Sequence, residues 1–122
     1  MTKGLKVFVV MPAFNEAGHI ADVIRRMPRV VDKIIVVDDH SSDGTAQAAL
    51  DAGDSRLELI RNPKNLGVGG ATIKAYHRAL EDNADVVVKV DADGQMDPQA
   101  IAELIKPIIE GKADYTKGFR FH

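Results

Sequence analysis

Val86-Val87-Val88-Lys89-Val90-Asp91-Ala92-Asp93-Gly94-Gln95 joins an apolar run to two acids one residue apart. The run reads as a strand covered on both faces, because its β-branched residues do not alternate with polar ones. The acids leave that strand at its carboxyl end, where loops from several strands converge. Two carboxylates so placed collect negative charge and suit a hard cation. Mg²⁺ and Mn²⁺ take oxygen ligands and commonly share them with substrate phosphates. The stretch therefore predicts a buried parallel strand with a metal–diphosphate site at its end. The competing reading is a plain turn, since Asp-Gly is ordinary turn chemistry.

Upstream, short apolar runs alternate with amphipathic ones. Residues 7–11 form a candidate first strand, ended by Pro12. Asn15 is placed to cap a helix carrying Ile20, Val23, Ile24 and Met27 at helical spacing, closed by Pro28. Residues 34–37 make a second strand running into Asp38-Asp39. Residues 41–45 have turn and cap chemistry, and a helix over 46–52 ends at Gly53. Residues 57–60 make a third, shorter strand, and 62–65 a loop. A helix from about 69 to 81 carries Ile73, Tyr76 and Leu80 on one face. Downstream, Asp97-Pro98 starts a helix, with a capping carboxylate and proline at the first position. Ile101, Leu104, Ile105, Ile108 and Ile109 form its apolar stripe. Pro107 should kink or shorten it, Gly111 ends it, and residues 115–121 read as a fifth strand.

Alternation of this kind predicts an α/β fold: a mostly parallel sheet with helices on both faces. The 122 residues make one domain, with no linker, low-complexity segment or internal repeat. The net charge of −2 and the lack of a Lys/Arg cluster argue against a nucleic-acid face. Without cysteine, disulfides and thiolate metal sites are excluded. No apolar run approaches the roughly 20 residues that span a bilayer. Residues 1–6 lack the apolar core of a signal peptide. The chain is expected to be soluble and cytoplasmic.

In open α/β sheets ligands bind beyond the carboxyl ends of the strands. Three polar clusters lie at such ends: Pro12 to Glu16, Asp38 to Asp43, and Asp91 to Gln95. Two alternatives for the last fail on detail. An EF-hand loop needs Gly at its sixth position and Glu at its twelfth, where Met96 and Ala102 stand. A phosphatase Asp-x-Asp-Gly nucleophile normally follows the first strand, not the fourth. Of the two acids after the second strand, one is expected to cap the next helix or to sit in a turn. The other, Asp39, is expected to face the crevice, where it can accept the ring N–H of uracil or guanine. Phe14 is read either as a core residue or as a ring laid against a base; its place on the turn itself favours the second. Asn65-Leu66-Gly67-Val68-Gly69-Gly70 lacks the Lys-Ser/Thr of a P-loop, and a G-x-G-x-x-G fingerprint is absent. Its glycines are read as packing devices that wall the donor pocket. His19, His40, His77 and His122 lack ligand spacing, and only His40 is expected near the crevice. Lys89, polar in an apolar strand, has no account beyond pairing with an acid nearby.

The set "VVMPAFNEAGHI", "IIVVDDHSSDGT", "NLGVGGA", "VDADGQMDP" and "KGFR" resembles family 2 glycosyltransferases of the GT-A fold. It looks most like the branch of dolichyl-phosphate mannose synthases and undecaprenyl-phosphate sugar transferases. The motifs occur in the family's order and cover nearly the whole chain. The resemblance implies a nucleotide-diphosphate sugar donor and Mg²⁺ or Mn²⁺. By position, Pro12, Ala13, Phe14, Glu16, Val37 and Asp39 match the nucleoside pocket. Phe14 stands where that branch has tyrosine, and His40 where it has glycine or asparagine. Asp91 and Asp93 match the metal-binding acids, Ala92 a backbone contact to the donor, and Gln95 a further metal ligand. Arg120 matches a diphosphate-contacting arginine, although its element reads Gly118-Phe119-Arg120 rather than Gly-Ser-Arg.

The implied reaction is metal-dependent sugar transfer to a polyprenyl phosphate or a growing glycan. The cation neutralises the departing diphosphate. The family domain continues for roughly a hundred further residues, by resemblance, so the chain is expected to be the donor-binding half, truncated before the acceptor site and any general base. Hence no catalytic residue is assigned in it. The parent protein is expected at the cytoplasmic face of a membrane. An unpaired last strand would favour homo-oligomers. The alternative is a non-catalytic nucleotide- or metal-binding α/β module. A dinucleotide-dependent oxidoreductase is disfavoured by the missing fingerprint.

Overall fold

The computed structural model describes residues 4–95 and 97–109. The expected fifth strand at 115–121, the stop at Gly111, Arg120, and the side chains of Ile108 and Ile109 lie outside the described residues. Four strands and four helices alternate: β1 Val7–Ala13, α1 Ile20–Arg25, β2 Lys33–Asp38, α2 Thr45–Asp51, β3 Leu57–Arg61, α3 Gly67–Glu81, β4 Val86–Lys89 and α4 Ala100–Ile109. The strands form one parallel sheet in the order β3-β2-β1-β4. The α/β expectation holds.

Strand alternation divides the interior in two. Val7, Val9, Met11, Ile34, Val36, Val86 and Val88 point to one face, where Ile20, Val23 and Ile24 of α1, Ala49 of α2, and Ile101 and Ile105 of α4 cover them. Phe8, Val10, Ile35 and Val37 point to the other, against Ala71, Ala75 and Ala79 of α3. The helices thus lie on both faces, as the continuous apolar strands require.

Four local readings are corrected. Pro12 does not end β1; the strand runs on to Ala13, with Pro12 level with Val37 and Ala13 with Asp38. Residues two apart present their backbone to the same side of a strand. Val10 accepts from Val90 on the β4 side, so Pro12 also faces that side. Pairing with β4 ends at Val10 and Lys89, so the missing N–H of proline has no ladder to break. Asn15 does not cap α1, which begins after His19 with no side-chain cap. The helix α4 continues past Pro107 to Ile109. It starts at Ala100 rather than at Pro98, and the Asp97 carboxylate accepts from the Gln99 N–H at 3.0 Å in the turn that leads into it.

The fourth correction concerns α3. Its buried face is Ala71, Ala75 and Ala79, spaced by four residues, while Ile73 and Leu80 are 60% and 64% exposed. Small residues let the helix lie close to the sheet; Ile73 and Leu80 face away from it, while Tyr76 packs partly buried against the core.

A charged cluster closes the sheet's amino end. Lys33 Nζ bridges Glu58 at 2.7 Å and Asp82 at 2.5 Å. Arg78 forks onto Glu58 at 2.6 and 3.1 Å. Burial pushes the Glu58 carboxyl up, but hydrogen bonds from Lys33 and Arg78 outweigh it and hold the group below its usual range. The Lys33 hydrogen bond likewise depresses Asp82. Depressed acids contribute stability above their unfolded pKa and lose it as pH falls through the folded value.

Two outcomes are expected. Lys33→Met will flatten the acid limb of the stability profile below about pH 5, measured as urea midpoints; an unchanged limb would exclude the cluster as its source. Ala75→Leu will destabilise by about 1–3 kcal/mol through overpacking, whereas Leu80→Ala will stay within about 0.5 kcal/mol. Equal losses at the two positions would mean that the wrong face of α3 has been placed inward.

Candidate nucleotide and metal site

In a parallel sheet every strand ends at the same rim. The segments after β1, β2 and β4 therefore emerge together. The chain steps from β1 to β2 to β3, then crosses back through α3 to β4 on the far side of β1. That reversal opens a crevice between β1 and β4. Asp91 follows directly: continuing the Val10–Lys89 register by two residues sets it level with Pro12.

On the α3 side of this rim lies a cavity of about 250 Å³, lined by Pro12, Ala13, Phe14, Asp39, Asn65, Gly67, Val68 and Ala71. Phe14 is 49% exposed. Val37 does not line it but is buried beneath, in the layer under α3. Asp39 is 3% exposed and ties three elements together. Its N–H donates to the Ala13 carbonyl at 2.8 Å. Its Oδ1 accepts from the Leu66 N–H at 2.7 Å and from Asn62 Nδ2 at 2.8 Å. Its carbonyl accepts from Asn65 Nδ2 at 3.2 Å. The glycine loop thus forms a cavity wall. Gly67, at φ +80°, donates its N–H to Asn65 Oδ1 and turns the chain into α3.

The loop after β1 is latched onto the loop after β2. Asn15, at φ +54°, accepts on Oδ1 from the Ser42 N–H at 2.9 Å and donates its own N–H to Ser41 Oγ at 2.9 Å. The Glu16 N–H donates to Thr45 Oγ1, and that of Ala17 to Asp43. The Thr45 hydroxyl donates to Asp43 and holds its carboxyl below the usual range. Asp38 caps the turn by accepting from Ser41 N–H and Oγ. One acid therefore shapes the turn and the other lines the cavity, as expected. His40 adopts φ +62°, a left-handed conformation that glycine and asparagine enter most easily.

Of the predicted pocket residues, Pro12, Ala13, Phe14 and Asp39 are brought together. Glu16 lies apart, its carboxylate on His19 Nδ1 at 3.1 Å. Ala92 is buried in the layer on the opposite face of the sheet. Asp91 and Asp93 share the rim but do not line the cavity. Gly94, at φ +80°, makes a turn beside the start of α1, where a Cβ would lie in ordinary van der Waals contact with His19 and Val23 at 3.9–4.0 Å. His19, not His40 alone, is therefore a neighbour of this rim. Lys89 Nζ stands 3.6 Å from Asp91 Oδ1, which accounts for the polar residue in an apolar strand.

The acids fit a hard cation. Both are partly exposed, Asp93 Oδ1 accepts among the described residues only from the Gln95 N–H at 3.0 Å, and oxygen is the donor type required. Among the described residues no group of three or more His, Asp or Glu could hold an ion alone. A half-built site of this kind suits a cation that completes its shell on phosphate oxygens. Asn62 and Lys74 belong to the pocket's support: Asn62 is fully buried, and Lys74 Nζ donates to its Oδ1 at 2.7 Å. A lone Asn before proline and a lone helical Lys carry no sequence signal for that role.

Comparison with known proteins agrees with this geometry. The family model described as glycosyl transferase family 2 matches residues 8–122. A UDP-N-acetylglucosamine–dolichyl-phosphate N-acetylglucosaminyltransferase of Methanococcus voltae is 34% identical, over 93% of this chain and 51% of the relative. A dolichol-phosphate mannosyltransferase of Pyrococcus furiosus is 32% identical, over 96% and 34% respectively. The structure of glucosyl-3-phosphoglycerate synthase from Mycobacterium tuberculosis with Mn²⁺ and UDP-glucose superposes with a TM-score of 0.71 at 27% identity, over 89% of this chain and 41% of that one. The chain thus spans about half or less of the length of these relatives. With the parallel sheet, the rim of acids and the matched motifs in one frame, the fold is GT-A and the chain belongs to glycosyl transferase family 2.

Proposed function

We propose that residues 1–122 form the donor-binding half of a glycosyltransferase that takes its sugar from a UDP- or GDP-sugar. The observation that carries this reading is the cavity of Phe14 and Asp39 opening on the same rim as Asp91 and Asp93. In this reading the base lies in the cavity against the Phe14 ring, since base–aromatic stacking tolerates any base. Pro12 and Ala13 form its floor, Val37 supports it, and Asp39 accepts a ring N–H. Glu16, through His19, braces the turn at Gly94. Asp91 and Asp93, with Gln95, hold Mg²⁺ or Mn²⁺; Ala92 and Arg120 meet the diphosphate. When bound, the cation supplies Lewis-acid stabilisation of the departing diphosphate. Lys89 holds Asp91 in place for it.

The acceptor in this reading is a polyprenyl phosphate or a glycan, because several relatives carry such acceptors in their names. The rest of such a protein supplies the acceptor site and any general base. Among the described residues no helix is long and apolar enough to cross a membrane. In this reading the whole protein works at the cytoplasmic face of a membrane; the lipid acceptors in the relatives' names support the membrane location.

Thermal unfolding with Mn²⁺, with UDP or GDP, and with both is the direct test. Nucleotide at 100 times its Kd should add about 2.7 kcal/mol, and metal should enlarge the shift. Asp91→Asn will remove the metal-dependent part and leave far-UV circular dichroism unchanged; a persisting metal shift would exclude Asp91 as a ligand. Phe14→Ala will weaken nucleotide binding by about 1–3 kcal/mol, read by calorimetry. If no nucleotide shifts the transition, with or without metal, the donor-site reading fails.

A further inference from the structure

We infer that the cavity selects uracil over guanine, because Asp39 has only one carboxylate oxygen left to offer. The inference rests on the donor-site reading and narrows it to uridine diphosphate sugars.

A carboxylate oxygen has about two lone-pair positions. Asp39 Oδ1 already accepts two hydrogen bonds, from the Leu66 N–H at 2.7 Å and from Asn62 Nδ2 at 2.8 Å. The Asn62 amide cannot turn over to free it. Lys74 Nζ, which only donates, sits 2.7 Å from Asn62 Oδ1 and so fixes the amide with its NH₂ group toward Asp39. Nor can the loop slide away, because Asn65 Nδ2 holds the Asp39 carbonyl at 3.2 Å. Oδ2 accepts no hydrogen bond among the described residues. It is not sealed in either: the one buried side-chain oxygen without a partner among them is Asp38 Oδ2. Asp39 lines the cavity and keeps one oxygen, Oδ2, whose lone pairs are unused among the described residues.

The four bases make different demands on such a wall. Uracil presents one imide N–H flanked by two carbonyls, and one open oxygen satisfies it. Guanine presents two donors side by side, its ring N–H and its amino group, and pairs best with both oxygens of a carboxylate. Here the saturated Oδ1 leaves both donors to share Oδ2, a bent, bifurcated arrangement weaker than one bond to each oxygen. Cytosine and adenine set an acceptor ring nitrogen beside their amino group, which turns a lone pair toward the carboxylate.

The test titrates the 122-residue chain with UDP, GDP, CDP and ADP at fixed Mn²⁺, and with UMP and GMP without metal, by calorimetry. UDP should bind at least about tenfold tighter than GDP, the loss that goes with one unmade hydrogen bond to a charged group. The UMP over GMP preference should have the same sign. GDP binding as tightly as UDP, or tighter, would overturn the inference and leave the donor site standing. No binding by any nucleotide would overturn both. Asn62→Ala, checked for a cooperative thermal transition, should narrow the ratio by opening a position on Oδ1. An unchanged ratio in the folded variant would exclude Oδ1 saturation as the cause. If that variant does not fold, the wild-type ratio alone decides.

Discussion

Asp39 is the junction on which the crevice depends. Its backbone closes β2 against β1, and its side chain and carbonyl pull the loop before α3 onto the end of the sheet. A buried carboxylate left unpaired would be costly, so these donors come as a set. The set positions the glycine turn, the start of α3 and the cavity wall in a single arrangement. An apolar residue would pack at this position but would give the loop nothing to close on.

The neighbouring acid works differently. Asp38 is buried beside Asp39, with Oδ1 spent on Ser41 and Oδ2 lacking a hydrogen bond. Arg61 stands 3.5 Å from that oxygen, at the end of β3. Ser41 in turn carries Asn15, so the loop bearing Phe14 is held through a chain of hydrogen bonds that starts inside the sheet. The aromatic ring is exposed, yet the backbone on either side of it is pinned. Such an arrangement lets a ring present its face to a ligand with little ordering left to do on binding.

The two ends of the sheet divide the work. At the amino end, Lys33, Glu58, Arg78 and Asp82 satisfy one another, and Lys33 also lies 5.8 Å over the Phe8 ring. At the carboxyl end, Asp39, Asp91 and Asp93 each keep acceptor capacity that their neighbours do not use up. Charges that pair internally add stability; charges left open at a switch point are where a ligand is recognised.

Strand and helix periods, the position of the acids after β4, and the family motifs are legible in the sequence, because each depends on residues a few positions apart. So were the roles of Phe14 and Asp39 as cavity residues, since both follow strands that must end at one rim. The inward face of α3 was not legible: alanines and large apolar residues both recur at helical spacing, and only the distance to the sheet decides between them. The continuation of β1 through Pro12 depended on where β4 stops. The bond from Asn15 to Ser42, rather than to a helix, depended on two loops meeting. Which oxygen of Asp39 stays open was settled by Asn62, Leu66 and Lys74, whose hydrogen bonds join distant segments and leave no local pattern in the chain.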